Sequence, residues 1–179
     1  MAKTGNTVYT VGHSTRTIED FIKLIQIYKI KVVVDVRTIA GSRHNPQYNE
    51  ESLSNSLSKN NLSYLRMKGL GGLRHTTKMS LNTAWKNSSF RGYADYMQTP
   101  EFTENIKQLI TLAKEKQIVI MCAEAVPWRC HRSLIGDALV LRNIEVVDII
   151  SEKSSMPHKI TSFAHIKKLT ITYPHPNTH

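Results

Sequence analysis

The segment CAEAVPWRCHRS, residues 122–133, follows the apolar run IVIM and gathers both cysteines of the chain, Cys122 and Cys130, with Glu124, Arg129, His131 and Arg132. A cysteine beside cations and a helix N-terminus is stabilised as its thiolate, the nucleophilic form. Cys130 is therefore a candidate nucleophile, whereas Cys122, closing an apolar run, is expected mainly to fill the core. The helix after this segment is expected to be capped near Arg129 or Cys130. Cations there are unfavourable by ~0.3–1 kcal/mol each, so a negative partner is expected. Glu124 could supply it, or a bound phosphate or carboxylate could, since free N–H groups already favour an anion at a helix start.

Two other short stretches carry chemistry of the same kind. Gly12-His13-Ser14 places a titratable imidazole on a turn, and Asp35-Val36-Arg37 places an acid and a cation two residues apart. His13 is the best general acid or base candidate. His131 is a second. Asp35 and Glu124 are expected to orient groups or exchange protons, while Arg37, Arg43, Arg129 and Arg132, with Ser14 and Ser42, are expected to hold a negatively charged substrate. Two cysteines and nearby histidines could ligate a metal, but their spacing matches no known ligand pattern. No metal ligand is assigned, and the sequence implies no cofactor.

The elements that must position these residues follow from periodicity. VYTVGHS reads as a strand entering a turn at Gly12, TIEDFIKLIQIYKI as a helix with an apolar face, and KVVVDVR as a strand buried on both sides. A helix is expected from Glu50 to about Lys59 with Asn49 as its cap, and a short strand in LSYLRM. Further helices are expected around Tyr93 to Gln98, from Pro100 to about Lys116, and through CHRSLIGDALVLRN. QIVIMCAE and EVVDII give two more strands, and KLTITY one possible edge strand. Alternation of this kind argues for a single α/β domain of three layers, with a mainly parallel sheet and helices on both faces. The domain is expected to fill residues 1–179, with a core from about 7 to 173 and a tail at 174–179 that frays. Ligands of such sheets bind beyond the carboxyl ends of the strands. His13, Asp35 and Glu124 all follow such ends, so one shared rim is expected.

A net charge of +10 over 179 residues favours anionic partners, whether small molecules or nucleic acid. The stretch from Tyr64 to Tyr96 interleaves Tyr64, Trp85, Phe90, Tyr93 and Tyr96 with Arg66, Lys68, Arg74, Lys78, Lys86 and Arg91, a mixture able to stack bases and hold phosphates. No apolar run is long enough to span a bilayer and the start MAKTGNTVYT lacks a secretory pattern, so a cytoplasmic location is expected, without a membrane partner.

TVGHSTRTIEDF, VVDVRTIAGSRHNPQYN, LGGLR, WKNSSFRGYADYMQTPEF and IVIMCAEAVPWRCHRSLIGDAL resemble the motifs of the domain of unknown function 488 (DUF488) family, over nearly everything from Val8 to Tyr173. The resemblance implies a single Rossmann-like domain and brings no established activity. His13, Asp35, Arg37, Ser42, Arg43, Glu124, Cys130, His131 and Arg132 fall on the family's polar motif positions. Ala40 stands where the family commonly has proline, which leaves the loop after DVR less defined. The order strand, cysteine, loop, arginine, helix is also similar to rhodanese-like sulfurtransferases and cysteine phosphatases. Their loop has five residues between Cys and Arg where Cys122 and Arg129 enclose six, and Pro127 removes an amide from any phosphate cradle. The leading expectation is a small enzyme acting on a phosphorylated or nucleic-acid-derived anion. A non-catalytic nucleic-acid-binding module is the alternative, and a rhodanese-like cysteine-dependent transferase or phosphatase the second.

Overall fold

β-branched runs become the strands and three-to-four-residue apolar spacing becomes the helices. The computed structural model describes residues 6–177. Its main sheet contains β1 (Thr7–Gly12), β2 (Val32–Asp35), β3 (Ser63–Arg66), β4 (Ile118–Cys122), β5 (Glu145–Ile149) and β6 (Ser155–Pro157). The spatial order is β3-β2-β4-β1-β5-β6, parallel throughout except for β6. Every residue of β2 and β4 is buried. That is why neither shows polar alternation: both faces of a central parallel sheet are covered.

Among the described residues five α-helices cover it: α1 (Ile18–Ile27), α2 (Glu50–Ser58), α3 (Ser88–Tyr96), α4 (Pro100–Glu115) and α5 (Arg132–Leu141). Phe21 and Leu24 of α1 and Leu53 and Leu57 of α2 pack with Val33, Val119 and Met121 on one face. Tyr93 of α3, Phe102 and Ile106 of α4, and Leu134 and Ile135 of α5 pack with Val34, Ile118 and Ile120 on the other. Successive strand residues thus feed opposite cores, as the two-residue repeat of a strand requires, and the domain has three layers. Among the described residues no helix is long and apolar enough to cross a membrane.

The structure corrects three local expectations. Helix α3 begins at Ser88, five residues before Tyr93, because Asn87 Oδ1 accepts the N–H groups of Ser89 and Phe90 and caps it. The KLTITY strand does not edge the main sheet. It forms β8 (Thr170–Thr172), antiparallel to β7 (His165–Lys167) in a separate two-stranded ribbon, and β6 takes the edge beside β5. Helix α5 is capped at His131, not at Arg129 or Cys130, because Pro127–Arg129 forms a 3₁₀ turn that delays it. Of the tail expected to fray, residues 178–179 lie outside the described residues. Tyr173 is buried with its hydroxyl on Asp137, and the His175 N–H donates to Thr83 Oγ1.

Candidate functional site

Register brings the reactive strand ends together. Gly12 lies beside Cys122, and Asp35 beside Met121. The ladder continues past the strands: the His13 N–H donates to Cys122 O, the Ser14 N–H to Ala123 O and the Val36 N–H to Met121 O. Side chains far apart in the chain, from His13 to Glu124, thereby share one rim. Two cavities open there, of about 350 and about 460 Å³. Both are lined by Arg37, Ile39, Ala123 and Glu124, so they form two lobes of one cleft. Gly12 permits the closure, since a Cβ there would lie 1.7 Å from Glu124 O and 2.9 Å from Ala125 Cα.

The first lobe wall is a locked polar cluster. Arg37 grips Asp35 through Nε to Oδ1 at 2.9 Å and Nη2 to Oδ2 at 2.7 Å, and Nη2 also donates to Tyr48 O. Tyr64 donates its hydroxyl to Asp35 Oδ2 at 2.6 Å. Both Asp35 oxygens are occupied and the residue is fully buried, which makes Asp35 a positioning group for Arg37. His13 stacks on Tyr48 with ring centroids 4.0 Å apart. Its Nδ1 faces Ser14 O at 2.8 Å and its Nε2 faces Arg37 Nη1 at 3.4 Å. A carbonyl can only accept and a guanidinium can only donate, so the proton sits on Nδ1 and the lone pair on Nε2. Burial holds the pKa of His13 below the ordinary histidine value, and the nearby Arg37 works in the same direction, while Ser14 O and Asp35 oppose them. The imidazole is neutral at pH 7. Ser14 takes a left-handed backbone conformation, φ 51°, uncommon for a non-glycine residue.

Sulfur dominates the other lobe. Arg132 is 0% exposed, and its Nη1 donates to Cys122 Sγ at 2.7 Å and to Glu124 O, while Nη2 donates to Ala125 O. Among the described residues its guanidinium meets no carboxylate, and Cys122 is the one side chain on it that can carry negative charge. Cys130 Sγ–H donates to Cys122 Sγ at 2.7 Å. Burial pushes the Cys122 thiol up, yet the Cys130 hydrogen bond, the Arg132 charge and the Glu124 amide outweigh it and bring it down to about 7. Cys130 moves the opposite way, raised by its hydrogen bond to Cys122 and by burial. Of the pair, Cys122 is the sulfur that ionises more readily and Cys130 the one that keeps its proton. His131 Nε2 faces Val36 O at 2.9 Å, so it carries the proton and leaves the Nδ1 lone pair 3.6 Å from Cys130 Sγ. Burial takes His131 down to about 4, against the raising effect of the Val36 and Leu70 carbonyls.

The remaining sequence-predicted residues divide by exposure. Glu124 is exposed, lines both lobes and makes no side-chain hydrogen bond or ion pair with the described residues. Arg129 is exposed and lines the sulfur lobe. Arg43 is exposed without lining either lobe, and Ser42 spends its hydroxyl on the Asn45 N–H while lining the His13 lobe. Arg132 and Arg37 reach inward to protein partners, leaving Arg129 as the exposed cation of the cleft. Among the described residues no group of three or more His, Cys, Asp or Glu side chains is arranged to hold a metal ion.

Residues 72–90 form the outer wall of the sulfur lobe through Gly72, Leu73, Ser89 and Phe90. Asp95 of α3 pins this wall, accepting from Thr76 Oγ1, the Thr77 N–H, Ser80 Oγ and Asn82 Nδ2. Sequence reasoning missed Asp95, Tyr48, the Tyr64–Asp35 hydrogen bond and the Arg132–Cys122 pairing. The NPQY turn was a usable signal for Tyr48, because Pro46 starts the 3₁₀ turn that presents it. The aromatic residues of the middle stretch are committed internally: Tyr93 and Tyr96 are core, Tyr64 serves Asp35, and Trp85 stacks on Phe90 with centroids 4.8 Å apart.

A family model described as "Domain of unknown function DUF488" matches residues 17–139, a span that includes Asp35, Arg37, Glu124, both cysteines and Arg132 but not His13. No curated protein and no solved structure matches the chain.

Proposed function

The chain belongs to the DUF488 family, a membership that brings no reaction with it, and we propose that the protein is a small cysteine-dependent enzyme whose cleft admits a compact anionic substrate to the thiolate of Cys122. One observation carries this reading: the fully buried Arg132 guanidinium faces Cys122 Sγ and, among the described residues, no carboxylate. An unpaired buried charge costs several kcal/mol, and ionising Cys122 removes that cost. A thiolate so stabilised at the floor of a cleft is the ordinary arrangement of a sulfur nucleophile.

The surrounding groups take roles consistent with their geometry. Cys122 Sγ attacks an electrophilic centre of the substrate. Arg129 supplies exposed positive charge at the mouth, and the chain's net charge of +10 draws anions toward it. Glu124, free of protein partners and facing both lobes, exchanges protons with the leaving group or with water. Burial under Tyr48 and the Arg37 charge keep His13 neutral, with its lone pair turned toward Arg37. Within the Tyr64–Tyr96 stretch, Tyr93 and Tyr96 are buried and Trp85 stacks on Phe90, which weighs against base stacking by that stretch, while Trp128 beside Arg129 is exposed.

Alkylation kinetics test the reading without knowledge of the substrate. The rate of Cys122 modification by iodoacetamide, followed by peptide mass spectrometry between pH 5 and 10, is expected to rise with a midpoint near 7. Iodoacetate, which is anionic, is expected to react faster than its neutral analogue relative to the same pair on free cysteine, and Arg129→Ala is expected to remove that preference. A midpoint near the ordinary ~8.5 would refute the thiolate, and discrimination against iodoacetate would refute the anionic substrate.

A further inference from the structure

The two thiols meet in a way that group transfer through Cys122 alone does not require. Both are free, both line the cleft, and Cys130 keeps 8% of its surface exposed against 2% for Cys122. One comes from the end of β4 and the other from the residue before the cap of α5, so the loop 123–129 folds back to set sulfur against sulfur. Cys130 also has the His131 Nδ1 lone pair at 3.6 Å as an acceptor for its proton.

We propose that Cys122 and Cys130 form a reversible redox pair, in which a small hydroperoxide oxidises Cys122 and Cys130 then closes a disulfide across the floor of the cleft. The inference rests on the thiolate reading of the same site. In the first step Cys122 Sγ⁻ attacks one peroxide oxygen, the O–O bond breaks, and hydroxide leaves and is protonated to water. Cys122 is then a sulfenic acid. In the second step Cys130 Sγ attacks the Cys122 sulfur, the S–O bond breaks, and the departing hydroxide takes up the Cys130 proton, relayed by His131 Nδ1. Two thiols and one hydrogen peroxide become one disulfide and two waters. Sulfur is oxidised by two electrons and the peroxide is reduced by two.

Arg132 sets the direction of return. A disulfide carries no charge, so oxidation leaves the buried guanidinium facing Cys122 without its anion, and the reduced state is favoured. The bond is therefore one that a low-molecular-weight thiol such as glutathione reopens by exchange, and the closed form withholds the nucleophile.

The test uses the reduced full-length protein and hydrogen peroxide near stoichiometry. The intact mass is expected to fall by about 2 Da, the mass of two hydrogens, and trypsin, which cuts after Arg129 and Arg132, is expected to release Gln117–Arg129 joined to Cys130–Arg132. Glutathione is expected to separate the peptides. Cys130→Ser should stop at a sulfenic acid on residue 122 that dimedone captures, and Cys122→Ser should not respond. Linked peptides that resist glutathione would overturn the reversible pair, as would wild-type protein that stops at sulfenic or sulfinic acid. If neither cysteine is oxidised while Cys122 still alkylates with a midpoint near 7, the redox inference fails and the thiolate stands. If Cys122 neither oxidises nor shows that midpoint, both fail together.

Discussion

Arg132 Nη1 lies 2.7 Å from Cys122 Sγ at the base of the cleft, ten positions away along the chain, with the Arg132 side chain closed to solvent. The guanidinium also holds the carbonyls of Glu124 and Ala125, so one residue positions the loop and sets the charge of the sulfur.

Removing that cation should raise the Cys122 pKa from about 7 toward the ordinary cysteine value. In Arg132→Met the rate of iodoacetamide modification of Cys122 at pH 7 is expected to fall by at least about tenfold. Arg132→Lys keeps a point charge but not the fork and should fall between. Circular dichroism on the same samples separates a lost charge from a lost fold.

Gly12 should tolerate no side chain. An added Cβ meets Glu124 O at 1.7 Å and Ala125 Cα at 2.9 Å, both backbone atoms that cannot swing aside. Gly12→Ala is expected to cost about 2–3 kcal/mol in urea unfolding, as overpacking does. Gly41→Ala meets only Asn49 Oδ1, at 3.8 Å, and serves as the near-neutral control.

The outer wall of the cleft should depend on Asp95. Burial alone would raise its pKa, but hydrogen bonds from Ser80, Thr77, Asn82 and Thr76 outweigh it and lower it. A depressed carboxylate contributes stability above its unfolded value of 3.8 and loses it as pH falls through the folded value. Acid should therefore loosen residues 76–82, and Asp95→Asn should do so at neutral pH. Tryptic cleavage after the exposed Lys78 is expected to be several-fold faster in that variant, read by timed gel electrophoresis.

His158 should make the protein sensitive to alkali. It bridges Asp137 at 2.8 Å and Asp148 at 3.0 Å. Burial disfavours its charge, but the two carboxylates outweigh this and push it up to about 9. The raised value means that the stabilisation, on the order of 3 kcal/mol by linkage, is fully present below pH 6.5 and is lost as pH rises through about 9. Cys122 titrates near pH 7 with the opposite sign, stabilising more as pH rises. The difference in unfolding free energy between wild type and His158→Asn, measured at pH 6, 7.5 and 9.5, isolates the histidine. It should shrink toward alkaline pH.

The five parallel strands and the main helices were legible because each buries a face whose residues repeat at the spacing of its own backbone. VVVD and IVIMC are uninterrupted because both sides are covered, and the α4 start is written in Thr99 and Pro100. The start of α3 was misplaced because its signal is the single cap Asn87 rather than a periodic face, and β8 was misassigned because a three-residue strand looks the same whether it joins a large sheet or a ribbon. The 68–90 stretch was opaque for a related reason: its order comes from hydrogen bonds to Asp95, a residue beyond it in the chain.

Chain order and local pattern were sufficient to bring His13, Asp35 and Glu124 to one edge, since parallel strands deliver their carboxyl ends to the same side whatever the details of packing. They could not decide partners. That Arg132 turns inward to Cys122 while Arg129 faces solvent, that Asp35 is saturated while Glu124 is free, and that the thiolate falls on Cys122 with Cys130 as its donor all depend on which side chains burial forces together. Charge and hydrogen bonding gain strength only where water is excluded, and exclusion of water is a property of the assembled layers.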